Sequence, residues 1–215
     1  MITHAAFRVV ALASALLTAA VPSTAAAQEP PRAHVGAGIG RALIVGDASD
    51  FLDGGSTRFL FADFRMDARE RLHVRVDGSM APLEDDEDQF TNARAENDLL
   101  LLVGGPQVGV ALGPVRPYVG AVAGLASVRW STDRPGSGED EDGTEATFAW
   151  GGHGGIAFRL GAGDHPVSLR IEARVLDLGT LPFARAPDPA TPSPTGLIRQ
   201  DIAVLGLRAG VSVGF

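Results

Sequence analysis

Charged residues recur at every second position in several segments of the sequence. In 71–80 Arg75 and Asp77 alternate with apolar residues, and in 167–175 Glu172 lies between arginines in the same way. Opposite charges at this spacing share one face of a β-strand, where they can form ion pairs with neighbouring strands. The residues that this pattern assigns to one polar network are Asp63, Arg65, Arg75, Asp77, His153, Arg170, Glu172, Arg174 and Arg208.

Two acidic runs offer a second kind of chemistry, the binding of divalent cations. Segments 81–97 and 131–145 each contain six acidic residues and one arginine, and carboxylate oxygens are preferred ligands of Ca²⁺ and Mg²⁺. The second run lacks calcium-loop spacing, because the first ligand position would fall on Gly138 and the last on Ala149. We therefore interpret both runs as solvated loops and assign no metal site. The weak candidates for cation binding are Asp85, Asp86, Asp88, Asp140 and Asp142.

A serine–histidine–acid site for lipid chemistry is a third possibility. The alternation places His73 and His153 on the polar face of their strands, with no serine at an adjacent position on the other face. We therefore expect structural, hydrogen-bonded histidines, no catalytic residue and no cofactor. The glycine-rich runs carry no nucleotide signature, because no βαβ unit surrounds them.

The alternation is itself a strand signal, and it occurs eight times. Its clearest occurrences are 71–80, 167–175 and 202–215, none of which fits a helical period. The five weaker segments are 33–41, 58–66, 98–112, 117–130 and 146–160.

The connections between these segments alternate strictly in length. Short turns lie around 67–70, 113–116 and 161–165, whereas the long polar connections are 42–57, 81–97, 131–145 and 178–200. Bacterial outer-membrane barrels have short periplasmic turns, longer extracellular loops and an even number of strands. The sequence therefore predicts an all-β fold, an eight-stranded antiparallel up-and-down transmembrane β-barrel.

The first residues predict export. An apolar run from Val9 to Val21 ends in small residues, which is typical of a signal peptide cleaved after Ala27. Pro22 stops the run short of the roughly 20 apolar residues that a spanning helix needs. The predicted organisation is a signal peptide over 1–27, a short N-terminal segment over 28–32 and the barrel domain over 33–215. The absence of cysteine excludes disulfides, and the net charge of −8 argues against a nucleic-acid partner.

A barrel of eight strands has an interior that side chains fill. We therefore expect the polar network inside and the apolar faces against lipid, since an outward arginine costs about 2–4 kcal/mol at the bilayer midplane. Aromatic residues near strand ends would then form the interfacial girdles of the barrel. The aromatic residues assigned to these girdles are Tyr118, Trp130, Trp150 and Phe158.

The pattern over 33–215 resembles that of small outer-membrane barrel proteins of the OmpA, OmpX and OmpW kind. The most specific element is the last strand, Gly210–Phe215, whose terminal Phe215 resembles the signal read by the barrel-assembly machinery. The resemblance implies a place in the cell outer membrane, periplasmic termini, extracellular loops, and contact with membrane lipid and lipopolysaccharide. Divalent cations could bridge the acidic loops to lipopolysaccharide phosphates.

Several functions remain open on the sequence alone. The favoured one is a non-enzymatic surface barrel with an envelope role or a loop-mediated binding role. A narrow channel for small solutes or ions would conduct in planar bilayers, and a lipid-modifying barrel enzyme would change lipid mass. A soluble periplasmic lipocalin-like binder would lack the heat-dependent gel migration of a folded membrane barrel.

Overall fold

The fold was analysed in a computed structural model that describes residues 32–45, 49, 52–67, 71–85, 94–133, 141–160, 165–184 and 197–215. None of these residues belongs to a helix that is long and apolar enough to cross a membrane. The strands are β1 (Ala33–Val45), β2 (Leu52–Asp53), β3 (Ser56–Arg65), β4 (Leu72–Asp85), β5 (Arg94–Gly109), β6 (Val115–Asp133), β7 (Glu141–Arg159), β8 (Val167–Ala184) and β9 (Leu197–Gly214).

The long strands close into a barrel. Each is antiparallel to its neighbours along the chain, and β1 pairs with both β3 and β9, for example Ile39 with Arg58 and with Ala209. The two-residue β2 lies outside this ring and pairs with the end of β4. In the described part of the chain the barrel therefore has eight strands, which confirms the predicted fold. Closure gives every spanning strand a hydrogen-bonded partner on both edges, as hydrocarbon requires.

The two rims of the barrel are built differently. One rim, here called the turn rim, carries the connections 66–71, 110–114 and 160–166. At the first of these connections, the Asp67 carboxylate accepts hydrogen bonds of 2.8 Å from the backbone N–H groups of Arg71 and Leu72. The opposite rim, here called the ribbon rim, carries the remaining connections.

At the ribbon rim the strands are longer than the sequence analysis predicted. Pairing of β6 with β7 continues to Thr132 and Glu141, and pairing of β8 with β9 continues to Ala184 and Leu197. Much of the polar sequence assigned to long loops therefore forms β-ribbons that continue the wall. The sequence pattern did not identify these strand ends as strands. Beyond the membrane the outward face of a strand meets water and need not be apolar, so polar and apolar residues no longer alternate.

Apolar side chains of the wall point outward in the half nearer the turn rim. Along β8, Arg170 and Glu172 are buried, whereas Ile171 is 56% exposed and Val175 is 54% exposed. This is the reverse of a water-soluble sandwich, whose apolar face is covered. The inverted pattern gives the barrel an apolar outer band that lipid can cover.

The interior has two layers, and the sequence analysis predicted only one of them. In the half nearer the turn rim the inward side chains are polar, as expected. In the half nearer the ribbon rim they are apolar and closely packed, with Leu99, Leu178 and Phe183 at most 2% exposed. The expectation of a polar interior throughout was therefore wrong. In segments such as Leu99–Val103 both faces are apolar, because one face meets this inner layer and the other the outer band.

The position of the apolar outer band can be tested by introducing a charged residue. Ile171→Arg should lower the free energy of unfolding by about 2–4 kcal/mol, because the guanidinium would face the middle of the hydrocarbon. Thr144→Arg is the matched control, since Thr144 is exposed on β7 toward the ribbon rim and should cost at most about 1 kcal/mol. The measurement is urea unfolding of the barrel in phospholipid vesicles. Equal losses for the two variants would contradict the assigned position of the band.

Candidate functional site

The polar layer is centred on two carboxylates from opposite walls of the barrel. Glu172 of β8 accepts hydrogen bonds from Arg75 Nη1 at 2.5 Å and Arg208 Nη2 at 2.6 Å. It also accepts one from the Tyr118 hydroxyl at 3.0 Å. One buried side chain thus connects β8 with β4, β6 and β9.

Asp77 of β4 is the second centre. Its carboxylate accepts two hydrogen bonds from Arg208, at 3.0 and 2.7 Å, and one from Arg75 at 3.0 Å. Arg174 Nη2 lies 2.8 Å from the same carboxylate. Because Arg75 and Arg208 contact both Asp77 and Glu172, the charges form one network that crosses the lumen.

A third carboxylate and two aromatic rings also contact the arginines of this network. Asp63 forms an ion pair with Arg170 and lies 3.9 Å from Arg75 Nε. The guanidinium of Arg75 lies 4.5 Å from the centre of the Phe61 ring, a distance at which cation–π attraction operates. Arg208 lies 4.0 Å over the Phe59 ring in the same way. The aromatic faces therefore add a favourable contact to arginines that are already paired with carboxylates.

Inward-facing glycines make the space that these rings occupy. A Cβ atom on Gly38 of β1 would overlap the Phe59 ring, and one on Gly36 would overlap the Phe61 ring. On β7, a Cβ on Gly155 would lie 2.7 Å from the Tyr118 hydroxyl oxygen. Glycines on strands suit a sharply curved sheet. The contacts show that they also leave room for large side chains of the neighbouring strands.

The family model for the outer membrane protein beta-barrel domain matches residues 11–215. The chain belongs to this family. This membership places it in the cell outer membrane, and it agrees with the closed barrel and its apolar outer band. No curated protein sequence matches this outer-membrane barrel significantly.

Two solved structures show the same architecture. Neisserial surface protein A superposes with a TM-score of 0.58 at 18% identity, over 87% of this chain and all of that one. Ail, the attachment invasion locus protein of Yersinia pestis, superposes with a TM-score of 0.54 at 12% identity, over the same shares. At such low identity the likeness establishes the fold and leaves function to be argued from this barrel's own residues.

The structure brings together nearly all residues that the sequence assigned to the polar network. The carboxylates Asp63, Asp77 and Glu172 and the arginines bound to them form the cluster described above. His153 is also buried, and its Nε2 lies 3.2 Å from the Gln107 side-chain oxygen. Arg65 is half-buried at the turn rim, apart from the central contacts.

Two of the four aromatic residues assigned to the girdles point into the lumen and not toward the lipid. Tyr118 is buried in the polar layer, and Trp130 packs against the inner apolar layer. The orientation of 117–130 had been set by treating its polar residues as inward, but Arg129 lies near the ribbon rim and is exposed outward. Trp150 is 57% exposed on the outer face, and Phe158 is half-buried.

Sequence reasoning missed other members of the interior. Phe59 and Phe61 are buried in the lumen, and Gln107 is fully buried beside His153. A signal for the two phenylalanines was available, because they share the parity of Asp63 on β3. Their apolar character masked it, since apolar residues were assigned to lipid.

The cation candidates are only partly described by the structure. Asp85 is the last residue of β4, and Asp142 is exposed on β7. Asp86, Asp88 and Asp140 lie outside the described residues. Among those described, no group of three or more acidic or histidine side chains is arranged to hold a metal ion. Cation binding by the acidic segments stays a prediction.

The structural role of the central network can be tested by two matched substitutions. Glu172→Gln should lower the free energy of unfolding by about 3–5 kcal/mol, because it leaves buried arginines without their counter-charge. Glu145→Gln is the control: Glu145 pairs with Arg199 at 2.7 Å, but their side chains are 34% and 60% exposed. Such a surface pair contributes about 0–1 kcal/mol. Urea unfolding in vesicles compares them, and a small loss at Glu172 would show that the network does not brace the barrel.

Proposed function

We propose that this chain is a non-enzymatic outer-membrane barrel that presents acidic β-ribbons at the cell surface. In the proposed orientation of the barrel in the membrane, the ribbon rim is extracellular, and the turn rim and both termini are periplasmic. The observation that carries the proposal is the combination of a filled lumen with strands that continue beyond the apolar band on one side only. A barrel of this kind supports the envelope mechanically and offers its ribbons for binding.

The packing of the interior favours this role over a channel. Leu176, Leu178 and Leu181 have no exposed surface within the described residues, and the network around Asp77 and Glu172 occupies the next layer. Water would have to pass through an apolar layer and then through paired charges. Both layers would have to rearrange before an ion could cross.

The charge of the ribbons indicates which surface partners suit them. Ail has been solved in complex with the heparin analogue sucrose octasulfate, a polyanion. The two ribbon segments of this chain, 81–97 and 131–145, each carry six acidic residues against one basic residue. They would repel a polyanion, so we propose cationic partners, or partners bridged by divalent cations, for these ribbons.

The outer wall also offers contacts for lipopolysaccharide. Arg41 of β1 and Arg58 of β3 are exposed on the outward face. Arg41 pairs with Ser56 and Arg58 pairs with Ile39, so the two arginines are diagonal neighbours on adjacent strands. Neither arginine forms an ion pair within the described residues. Arg41 lies eight residues, and Arg58 seven residues, from the turn-rim end of its strand, roughly 20 Å up a tilted wall. This is near the top of an apolar band about 25 Å tall, where the phosphates of the outer leaflet lie.

Phe215 supports the proposed route of assembly. Its carbonyl oxygen accepts hydrogen bonds from the N–H groups of Arg32 and Ala33, at 2.7 and 3.2 Å, so the last residue is paired with β1. Its side chain is 54% exposed at the turn rim. We propose that this exposed ring is the feature that the barrel-assembly machinery binds.

The orientation can be tested by cysteine labelling, because the natural chain has no cysteine. Two single-cysteine variants are compared. Ser137→Cys places the thiol in the β6–β7 connection at the ribbon rim, and Ala68→Cys places it in the β3–β4 connection at the turn rim. A polymer-linked maleimide too large for porins should label the first in intact cells. It should label the second only after the outer membrane is permeabilised. The opposite pattern, or labelling of both in intact cells, would overturn the proposed topology.

The lipid contact can be tested in vesicles with and without lipopolysaccharide. The natural chain should gain stability from lipopolysaccharide, and the double variant Arg41→Gln/Arg58→Gln should lose about 2 kcal/mol of that gain, roughly 1 kcal/mol per arginine. Arg199→Gln is the control, because Arg199 is exposed but already paired with Glu145. Full retention of the gain in the double variant would refute the contact.

A further inference from the structure

A small cavity near the turn rim has a cationic lining. Arg116, Arg159 and Arg170 line it together with His34 and Ser168, and none of the described residues in the lining is acidic. The strand parities direct these side chains into the lumen, so the cavity belongs to the interior of the barrel and not to its lipid face. Its volume of about 30 Å³ has room for about two water-sized groups.

Arg170 forms a rigid part of this lining. It is buried, it is ion-paired with Asp63, and its guanidinium lies between two aromatic rings. The distances from the guanidinium carbon to the ring centres are 4.6 Å for Phe61 and 5.7 Å for Tyr118. A donor held in this way loses little conformational freedom when it binds a ligand.

The lining contains buried polar atoms that have no hydrogen-bond partner among the described residues. Arg170 Nε and His34 Nδ1 are two of them, and both side chains are more than nine-tenths buried. A buried polar atom without a partner is unfavourable. An acceptor in the cavity would satisfy Arg170 Nε, and it would satisfy His34 in the tautomer that carries its proton on Nδ1.

The charge balance of the adjoining network also favours an anion. The network contains four arginines and three carboxylates, so it has one positive charge in excess. An uncompensated charge is costly in the low dielectric of a filled lumen. The side from which a small anion can reach the network is the turn rim, because the apolar layer covers the other side.

We propose that this cavity is a binding site for a single oxyanion group, a phosphate or a carboxylate, that enters from the turn rim. Arg159 is exposed at the entrance, Arg116 lies on the wall and Arg170 forms the inner end. Planar guanidinium groups suit this ligand, because they donate paired hydrogen bonds to two oxygens. The site does not depend on what the ribbons bind, so it stands apart from the function proposed above.

The test uses the folded full barrel in uncharged maltoside micelles, which contain no phosphate. Inorganic phosphate is titrated while NMR follows the Nε–H signal of Arg170, whose shift should saturate. Arg159→Gln should weaken binding by about tenfold or more, because a charge-assisted hydrogen bond is lost, and Arg159→Lys should recover part of the affinity. Arg199→Gln, on the outer surface near the ribbon rim, should bind as the natural chain does. Backbone spectra confirm that each variant is folded.

A second arm separates the two sources of an oxyanion. Monomeric short-chain phosphatidylglycerol replaces inorganic phosphate in the same titration. Saturation by inorganic phosphate assigns the site to soluble anions, and saturation by the lipid alone assigns it to a phospholipid headgroup. The absence of saturation with both ligands, or equal affinity in Arg159→Gln and the natural chain, would overturn the proposal.

Discussion

The sheet closes on itself where β1 pairs with β9, and the other features of the barrel follow from this closure. A spanning strand in hydrocarbon cannot leave its backbone N–H and C=O groups unpaired, so the wall has to meet itself. With eight strands the resulting lumen is narrow, and side chains must fill it. The ion pairs across the lumen, the inward aromatic rings and the inner apolar layer are three ways in which this sequence meets that requirement.

The polar layer is arranged so that few groups each join several strands. Glu172 connects β8 to β4, β6 and β9, and Asp77 connects β4 to β8 and β9. A buried ion pair often contributes little net free energy, because desolvation offsets the attraction. Its greater effect here is on register: a one-residue slip of β8 would turn Glu172 toward lipid and Ile171 into the lumen.

The barrel presents different chemistry at each level along its axis. Arginines and histidines dominate the lumen near the turn rim, and apolar side chains occupy it near the ribbon rim. On the outside, apolar side chains face outward along the wall, and acidic residues lie on the ribbons at the ribbon rim. Among the described residues, a packed apolar layer therefore separates the cationic end of the lumen from the ribbon rim.

The strand number, the antiparallel order, the turns and the inward placement of the charged residues of the central network could all be predicted from the sequence alone. The alternation of polar and apolar residues is a pattern within a single strand. A charged side chain on a strand that crosses the apolar band has one favourable orientation, toward the lumen. The orientation of Tyr118 and Trp130, the partners of Glu172 and the inner apolar layer became evident only once the strands were assembled into the barrel. An apolar or aromatic residue is stable against lipid and inside a packed lumen alike, so its direction depends on the neighbouring strands. The space that Gly36, Gly38 and Gly155 leave for rings on adjacent strands is likewise a property of register, which no single segment contains.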